Sequence, residues 1–235
     1  LTVFGVLILW FSFYCMNPLL EGAENNFDLS SDKPIAFGLE DFKYIFDFEE
    51  ETVNLNFIVY NKSNLTTCGR IDINYPSNLE IIDYSVHGLV KGKDFKIDDF
   101  NKGEYETKRT EFIEIRIEDD VKFNITLKGD IKPNGIFNFE YKNWRTVNSN
   151  KNIRAILRMG NKYSCLENCI DTTFNAKVNR HYDKEEIIEI RSKDNKPQTK
   201  IILNSYNKQI RLFQTIMTSL GVGIIASGIA TISKK

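Results

Sequence analysis

Apolar and polar residues alternate along most of the chain between about Asn25 and Asn204, the period-two signature of strands that bury one face and wet the other. In VNLNFIVY, Val53, Leu55, Phe57 and Val59 are predicted to face a core while Asn54 and Asn56 face outward. In CGRIDINYP, Ile71, Ile73 and Tyr75 alternate with Arg70, Asp72 and Asn74. The stretch EFIEIRIEDDVKFNITLKGD carries Ile113, Ile115 and Ile117, an acidic Asp119-Asp120 interruption, and then Val121, Phe123, Ile125 and Leu127. It reads as two strands of a hairpin. Further strands are expected at 79–86, 95–97, 136–141, 152–159, 185–192 and 200–203, with turns such as Tyr75-Pro76-Ser77-Asn78 and Lys132-Pro133-Asn134-Gly135 between some of them. One segment resists the pattern. In KPIAFGLEDFKYIFDFEE, Phe42, Ile45 or Phe46, and Phe48 fit no single period, so 39–48 is read as a strand or a short helix.

The two ends carry a different pattern. LTVFGVLILWFSFYCMNPLL has no charged residue before Glu21. Twenty residues of helix rise about 30 Å, the hydrocarbon thickness of a bilayer. A cleaved signal peptide is the rival reading, opposed by the bulky Trp10, Phe11, Phe13 and Tyr14 and by the lack of a small-x-small site. LFQTIMTSLGVGIIASGIATIS, residues 212–233, lies between Arg211 and Lys234-Lys235 and is read as a second span. Gly221, Gly223 and Gly228 permit close helix approach there. Ser219, Gly223, Ser227 and Thr231 recur every four residues and are read as a small-residue stripe for docking a helix, either the first span or a partner's.

The expected organisation is therefore a mainly β, antiparallel sandwich-like extracytoplasmic region flanked by two transmembrane helices. Residues 1–20 form the first span, 25–143 a β-rich domain, 144–205 a second β-rich part or an extension of the first, and 210–233 the second span. The boundary is placed at 144–151, where NWRTVNSNK is polar and aperiodic. Lys234 and Lys235 suit a cytoplasmic end, which puts both termini inside and the middle outside.

Composition adds exclusions. With 31 Lys+Arg against 32 Asp+Glu the net charge is −1, so no electrostatic footprint for nucleic acid is present. There is no G-x-S-x-G, Walker-type loop, H-E-x-x-H or dinucleotide fingerprint. Asp98-Asp99, Asp119-Asp120 and Glu49-Glu50-Glu51 are adjacent carboxylates that point apart and read as solvated turns rather than calcium ligands. His87 and His181, with four cysteines lacking paired C-x-x-C spacing, make a poor zinc set.

Two chemistries remain. Asn61-Lys62-Ser63, Asn64-Leu65-Thr66 and Asn124-Ile125-Thr126 are N-glycosylation sequons; alternation puts Asn124 on an exposed face. Cys165 and Cys169, four apart, suit a local disulfide, and Cys68 is an alternative partner for either; Cys15 falls in or at the edge of the first span. The function expected is a non-catalytic structural or accessory subunit of a membrane complex, with lipid, other integral membrane subunits and N-linked glycans as partners and no cofactor. A surface adhesion or receptor module and an extracytoplasmic enzyme are the alternatives.

Overall fold

The computed structural model describes residues 2–12, 23–32, 37–62, 67–87, 96–100, 108–117, 120–142, 154–182, 185–192 and 198–232, and the statements below concern these. After α1 (Thr2–Trp10) come β1 (Ala23–Ser31), β2 (Phe37–Asp47), β3 (Thr52–Asn61), β4 (Thr67–Pro76), β5 (Leu79–His87), β6 (Lys96–Phe100) and β7 (Lys108–Ile117). They are followed by β8 (Asp120–Gly129), β9 (Gly135–Lys142), β10 (Arg154–Arg158), β11 (Tyr163–Thr172), β12 (Ala176–Tyr182), β13 (Glu186–Ser192), β14 (Gln198–Asn207) and α2 (Lys208–Ile232). Two seven-stranded sheets result, ordered β11-β14-β9-β1-β4-β7-β6 and β12-β13-β10-β2-β3-β8-β5.

Three of the apolar sets that alternation assigns inward are buried between the sheets, while the side chains of Ile113, Ile115 and Ile117 lie outside the described ones. Val53, Leu55, Phe57 and Val59 are buried, as are Ile71, Ile73 and Tyr75, and Val121, Phe123, Ile125 and Leu127. The sheets meet through rings: Phe27 of β1 lies 5.5 Å from Tyr44 of β2, and Phe137 and Phe139 of β9 lie 5.0 and 6.1 Å from Phe46 of β2. Such tilted and edge-on pairs match the aromatic quadrupole preference.

Two expectations about the sheets are corrected. The sheets are mixed rather than antiparallel throughout, because β1 runs parallel to β9 and β2 parallel to β10 at their centres. The cause lies in chain order: β1 and β2 step from one sheet to the other, β9 and β10 repeat that step in the same direction, and the two groups dock side by side. Each sheet thus joins strands from both sides of residues 144–151, which lie outside the described residues. In strand order the groups meet at 130–134, between β8 and β9.

The stretch at 111–130 is no hairpin. β7 pairs with β4 and β6 in one sheet, and β8 pairs with β3 and β5 in the other, so the chain passes from one sheet to the other between Ile117 and Asp120. An arch and a hairpin share the same alternation, which reports the face of a strand and not its neighbour.

The segment that fitted no period is a strand with a bulge. In β2 the register against β3 shifts between Glu40 and Lys43, and Asp41 has φ 48°. The extra residue moves the buried set from Phe37 and Leu39 to Phe42, Tyr44 and Phe46, swapping odd positions for even ones.

Of the two expected spans, one helix, α2, is long and apolar enough to cross a membrane; its 25 residues rise about 37 Å. The expected helix over 1–20 is described as an α-helix only for Thr2–Trp10, and residues 13–22 lie outside the described residues, Cys15 among them.

Candidate functional site

The described part of the chain concentrates unusual chemistry at one end of the sandwich, where α2 begins. β14 runs into α2 without a linker. Asn207 caps the helix: its Oδ1 accepts from the Gln209 and Ile210 amides at 2.9 and 3.3 Å, satisfying two N-terminal donors. The Lys208 amide donates to Lys162 O at 3.0 Å, tying the helix to the turn between β10 and β11. That turn needs Gly160, which has φ +60° and whose missing Cβ would strike the Glu49 side chain; Glu49 Oε2 accepts from the Asn161 amide at 2.8 Å. Arg211 lies 4.4 Å from the Tyr206 ring centroid, within cation–π range. Lys162 is held above the usual lysine pKa by its hydrogen bond and charge interaction with Tyr163, and further by Glu51 and Asp130. β1 enters at the same end, since Ala23 and Leu203 both face Gly135.

Along α2, α1 packs antiparallel. Thr2 meets Gly228, Gly5 meets Gly221 and Ile225, and Leu9 meets Gly221. Ser12 is fully buried; its hydroxyl shares a 2.8 Å hydrogen bond with Thr218, and Gln214 Nε2 donates to Ser12 O at 3.1 Å. Thr2, Gly5 and Leu9 of α1, and Ser12 just beyond it, are spaced three and four apart, the spacing of one helix face. A Cβ on Gly5 would lie 2.8 Å from Gly221 O, and one on Gly221 would lie 2.8 Å from Leu9 Cγ. The helices touch backbone to backbone, and only glycine permits it. Sequence reading flagged Gly221 and Gly228 but missed Gly5 and Ser12, whose signal is the 2-5-9-12 spacing.

The small-residue stripe faces away from α1. Ser219, Gly223, Ser227 and Thr231 are exposed, no atom lies within 4 Å of a Cβ built on Gly223, and the three hydroxyls donate to carbonyls four residues back at 2.8–2.9 Å. Val222 and Ile229, also exposed, complete an outer surface on which only 11 % of the apolar window is buried.

Cys165 and Cys169 are bonded, with Cα atoms 5.7 Å apart. The bond spans a bulge in β11, where Cys165 pairs with Ser205 but Ile170 already pairs with Leu203. Cys68 is exposed on β4, four strand positions from β11, or roughly 19 Å at the usual spacing. That is beyond disulfide reach, so the alternative pairing is corrected. Next to the bond, Glu186 is 4 % exposed; its Oε2 accepts from Ser164 Oγ at 2.8 Å and from the Cys165 amide at 3.1 Å, and its Oε1 has no partner among the described residues. A buried acceptor left unmade is costly. Glu186→Gln, which keeps the accepting oxygen and removes the charge, is expected to unfold within about 1 kcal/mol of the parent, whereas Glu186→Ala orphans two donors and costs about 2–3 kcal/mol; urea unfolding separates them.

Of the sequons, Asn61 ends β3, with its Oδ1 accepting from Thr67 Oγ1 at 3.4 Å. Asn64 lies outside the described residues. Asn124 is exposed on β8 as alternation requires, its Nδ2 donating to Ser85 Oγ at 3.2 Å. β3 starts beside the helix root and runs ten residues away, which sets Asn61 about 30 Å from it. Among the described residues no three His, Cys, Asp or Glu side chains gather as a metal ion would need.

No protein-family model and no curated protein matches the chain. Among solved structures, a candidate nutrient binding protein from Legionella pneumophila subsp. pneumophila str. Philadelphia 1 is similar over 76 % of this chain and 71 % of that chain, at 8 % identity and a TM-score of 0.44. Yeast LTA4 hydrolase in complex with bestatin is similar over 73 % of this chain and 29 % of that chain, at 11 % identity and a TM-score of 0.37. At these scores neither likeness carries an argument, and what the chain itself establishes is a β-rich, mixed-sheet sandwich bearing one apolar helix long enough to cross a membrane.

Proposed function

We propose that this protein is a non-catalytic accessory or structural subunit of a membrane complex, anchored by two antiparallel helices with both termini on the cytoplasmic side and the sandwich outside. The observation that carries the reading is α2: apolar, mostly exposed, and capped directly onto a strand of the folded domain. Water would penalise that surface by about 25 cal/mol per Å² of apolar area, and lipid would not. A linker-free root also fixes the sandwich against the bilayer, as a scaffold needs and a searching stalk does not. The outward stripe of Ser219, Gly223, Ser227 and Thr231 supplies a face for a partner helix.

Blue-native separation followed by mass spectrometry of the copurifying chains tests the role. A multispan partner in fixed stoichiometry, lost in Gly223→Val, is the expected result; a monomer in mild detergent would sink it. Orientation is tested separately. In a glycosylating cell, Asn61→Gln, Asn64→Gln and Asn124→Gln are expected to remove discrete mobility steps that a glycosidase also removes. A middle region that is unglycosylated and protected from external protease overturns the topology. A receptor or adhesion role is the second reading, favoured by Ile82 and Tyr84, exposed on the sheet-edge strand β5; it predicts binding of a soluble protein that Tyr84→Ser abolishes.

A further inference from the structure

The geometry points to the Cys165–Cys169 bond as a thiol-exchange site with a fixed polarity: Cys165 receives a small-molecule thiol of the glutathione class, and Cys169 departs as the thiolate. Charge sets the direction. Arg180, on the edge strand β12 of the opposite sheet, reaches across the open side of the sandwich, and its Nη2 donates to Cys169 Sγ at 3.3 Å. A guanidinium at that distance stabilises a thiolate, and a more stable leaving thiolate departs faster. Cys165 has the reverse neighbour, because its amide is held by the Glu186 carboxylate, whose second oxygen is buried without a partner among the described residues. A carboxyl group there offers Cys165 none of the cationic stabilisation that Arg180 gives Cys169. Both residues are buried, Cys165 7 % exposed and Cys169 2 %, and the sheet edge is the approach to them, because β11 is the last strand of its sheet, bulged where the bond sits.

The step balances. A glutathione thiolate attacks Cys165 Sγ, forming a mixed disulfide; the Cys165–Cys169 bond breaks, and its electron pair stays on Cys169 Sγ beside Arg180. A second glutathione then attacks the mixed disulfide at the glutathione sulfur, leaving both cysteines as thiols and glutathione as its oxidised dimer. Two thiols are oxidised and one protein disulfide is reduced.

The test uses the full chain in detergent, carrying Cys15→Ser and Cys68→Ser so that other thiols do not take part. Brief exposure to reduced glutathione, quenching with a maleimide and peptide mapping is expected to find glutathione on Cys165 and maleimide on Cys169. Glutathione predominantly on Cys169 overturns the assignment. Arg180→Gln is expected to slow the exchange about tenfold, the effect of losing a cation from the leaving thiol, with Arg180→Lys restoring most of the rate; an unchanged rate in Arg180→Gln overturns it equally. Should Arg180→Gln fail to fold, the adduct position in the parent chain decides alone.

Discussion

Replacing Phe46 by alanine is expected to destabilise the sandwich by about 3–5 kcal/mol, the range for deleting a fully buried aromatic side chain. Phe46 has 0 % exposure and sits where the sheets meet. Its ring lies 5.6 Å from Phe27, 5.0 Å from Phe137 and 6.1 Å from Phe139 across the core, and 6.2 Å from both Tyr44 and Phe48 on its own side. Truncation removes the shared surface of five neighbours at once, and rings locked by one another have little room to collapse into the void. For a chain of this size the loss corresponds to a fall of about 10 °C in Tm. Ile45, one residue earlier and half-buried on the outer face, is the control; Ile45→Ala should cost about 1 kcal/mol. Denaturant unfolding read by near-ultraviolet circular dichroism measures both. Equal effects would mean that the sheets do not pack face to face through these rings.

Gly221→Val is expected to separate α1 from α2. The first added carbon would lie 2.8 Å from Leu9 Cγ and 3.1 Å from Gly5 O; the side chain could turn away, but the carbonyl on the facing helix cannot. Overpacking of this kind costs about 1–3 kcal/mol, and about 1.4 kcal/mol, in the lower half of that range, shifts the associated population roughly tenfold. The readout is crosslinking between Ser12→Cys and Thr218→Cys, whose native oxygens are 2.8 Å apart, in a chain also carrying Cys15→Ser and Cys68→Ser. Yield should fall about tenfold in Gly221→Val. Gly223→Val, two residues on in the same helix, places its carbon in open space and should leave the yield unchanged. This pair of variants also separates the two uses of α2, because Gly221 faces α1 and Gly223 faces outward.

Face assignment in the strands is local, and the sequence alone determined it. A side chain on a pleated strand has two directions to choose from, so the alternation of Val53 to Val59 or of Val121 to Leu127 already says which residues the core receives. The same parity placed Asn124 outside. Composition settled α2 just as directly, since a run of 22 uncharged residues has few other fates. β1, β11 and β12 escaped notice for local reasons too. AENNFDLSS is polar though central in its sheet, YSCLENCIDT is broken by its bulge, and AKVNRHY is a sheet edge with half-wet faces.

Partnership is a different quantity, and only the tertiary structure decided it. Alternation is the same whether a strand returns beside its predecessor or crosses to the opposite sheet, so nothing in the residues around Asp119 distinguished a hairpin from an arch. Parallel pairing of β1 with β9 and of β2 with β10 joins residues more than a hundred positions apart, a choice made by the summed burial of both sheets. The one residue added at Asp41 inverted the parity of β2 and hid a strand from any single period. The approach of Arg180 to Cys169 and of Gly5 to Gly221 has the same origin: each contact holds because distant strands or helices fix both partners, and no short stretch of sequence contains both.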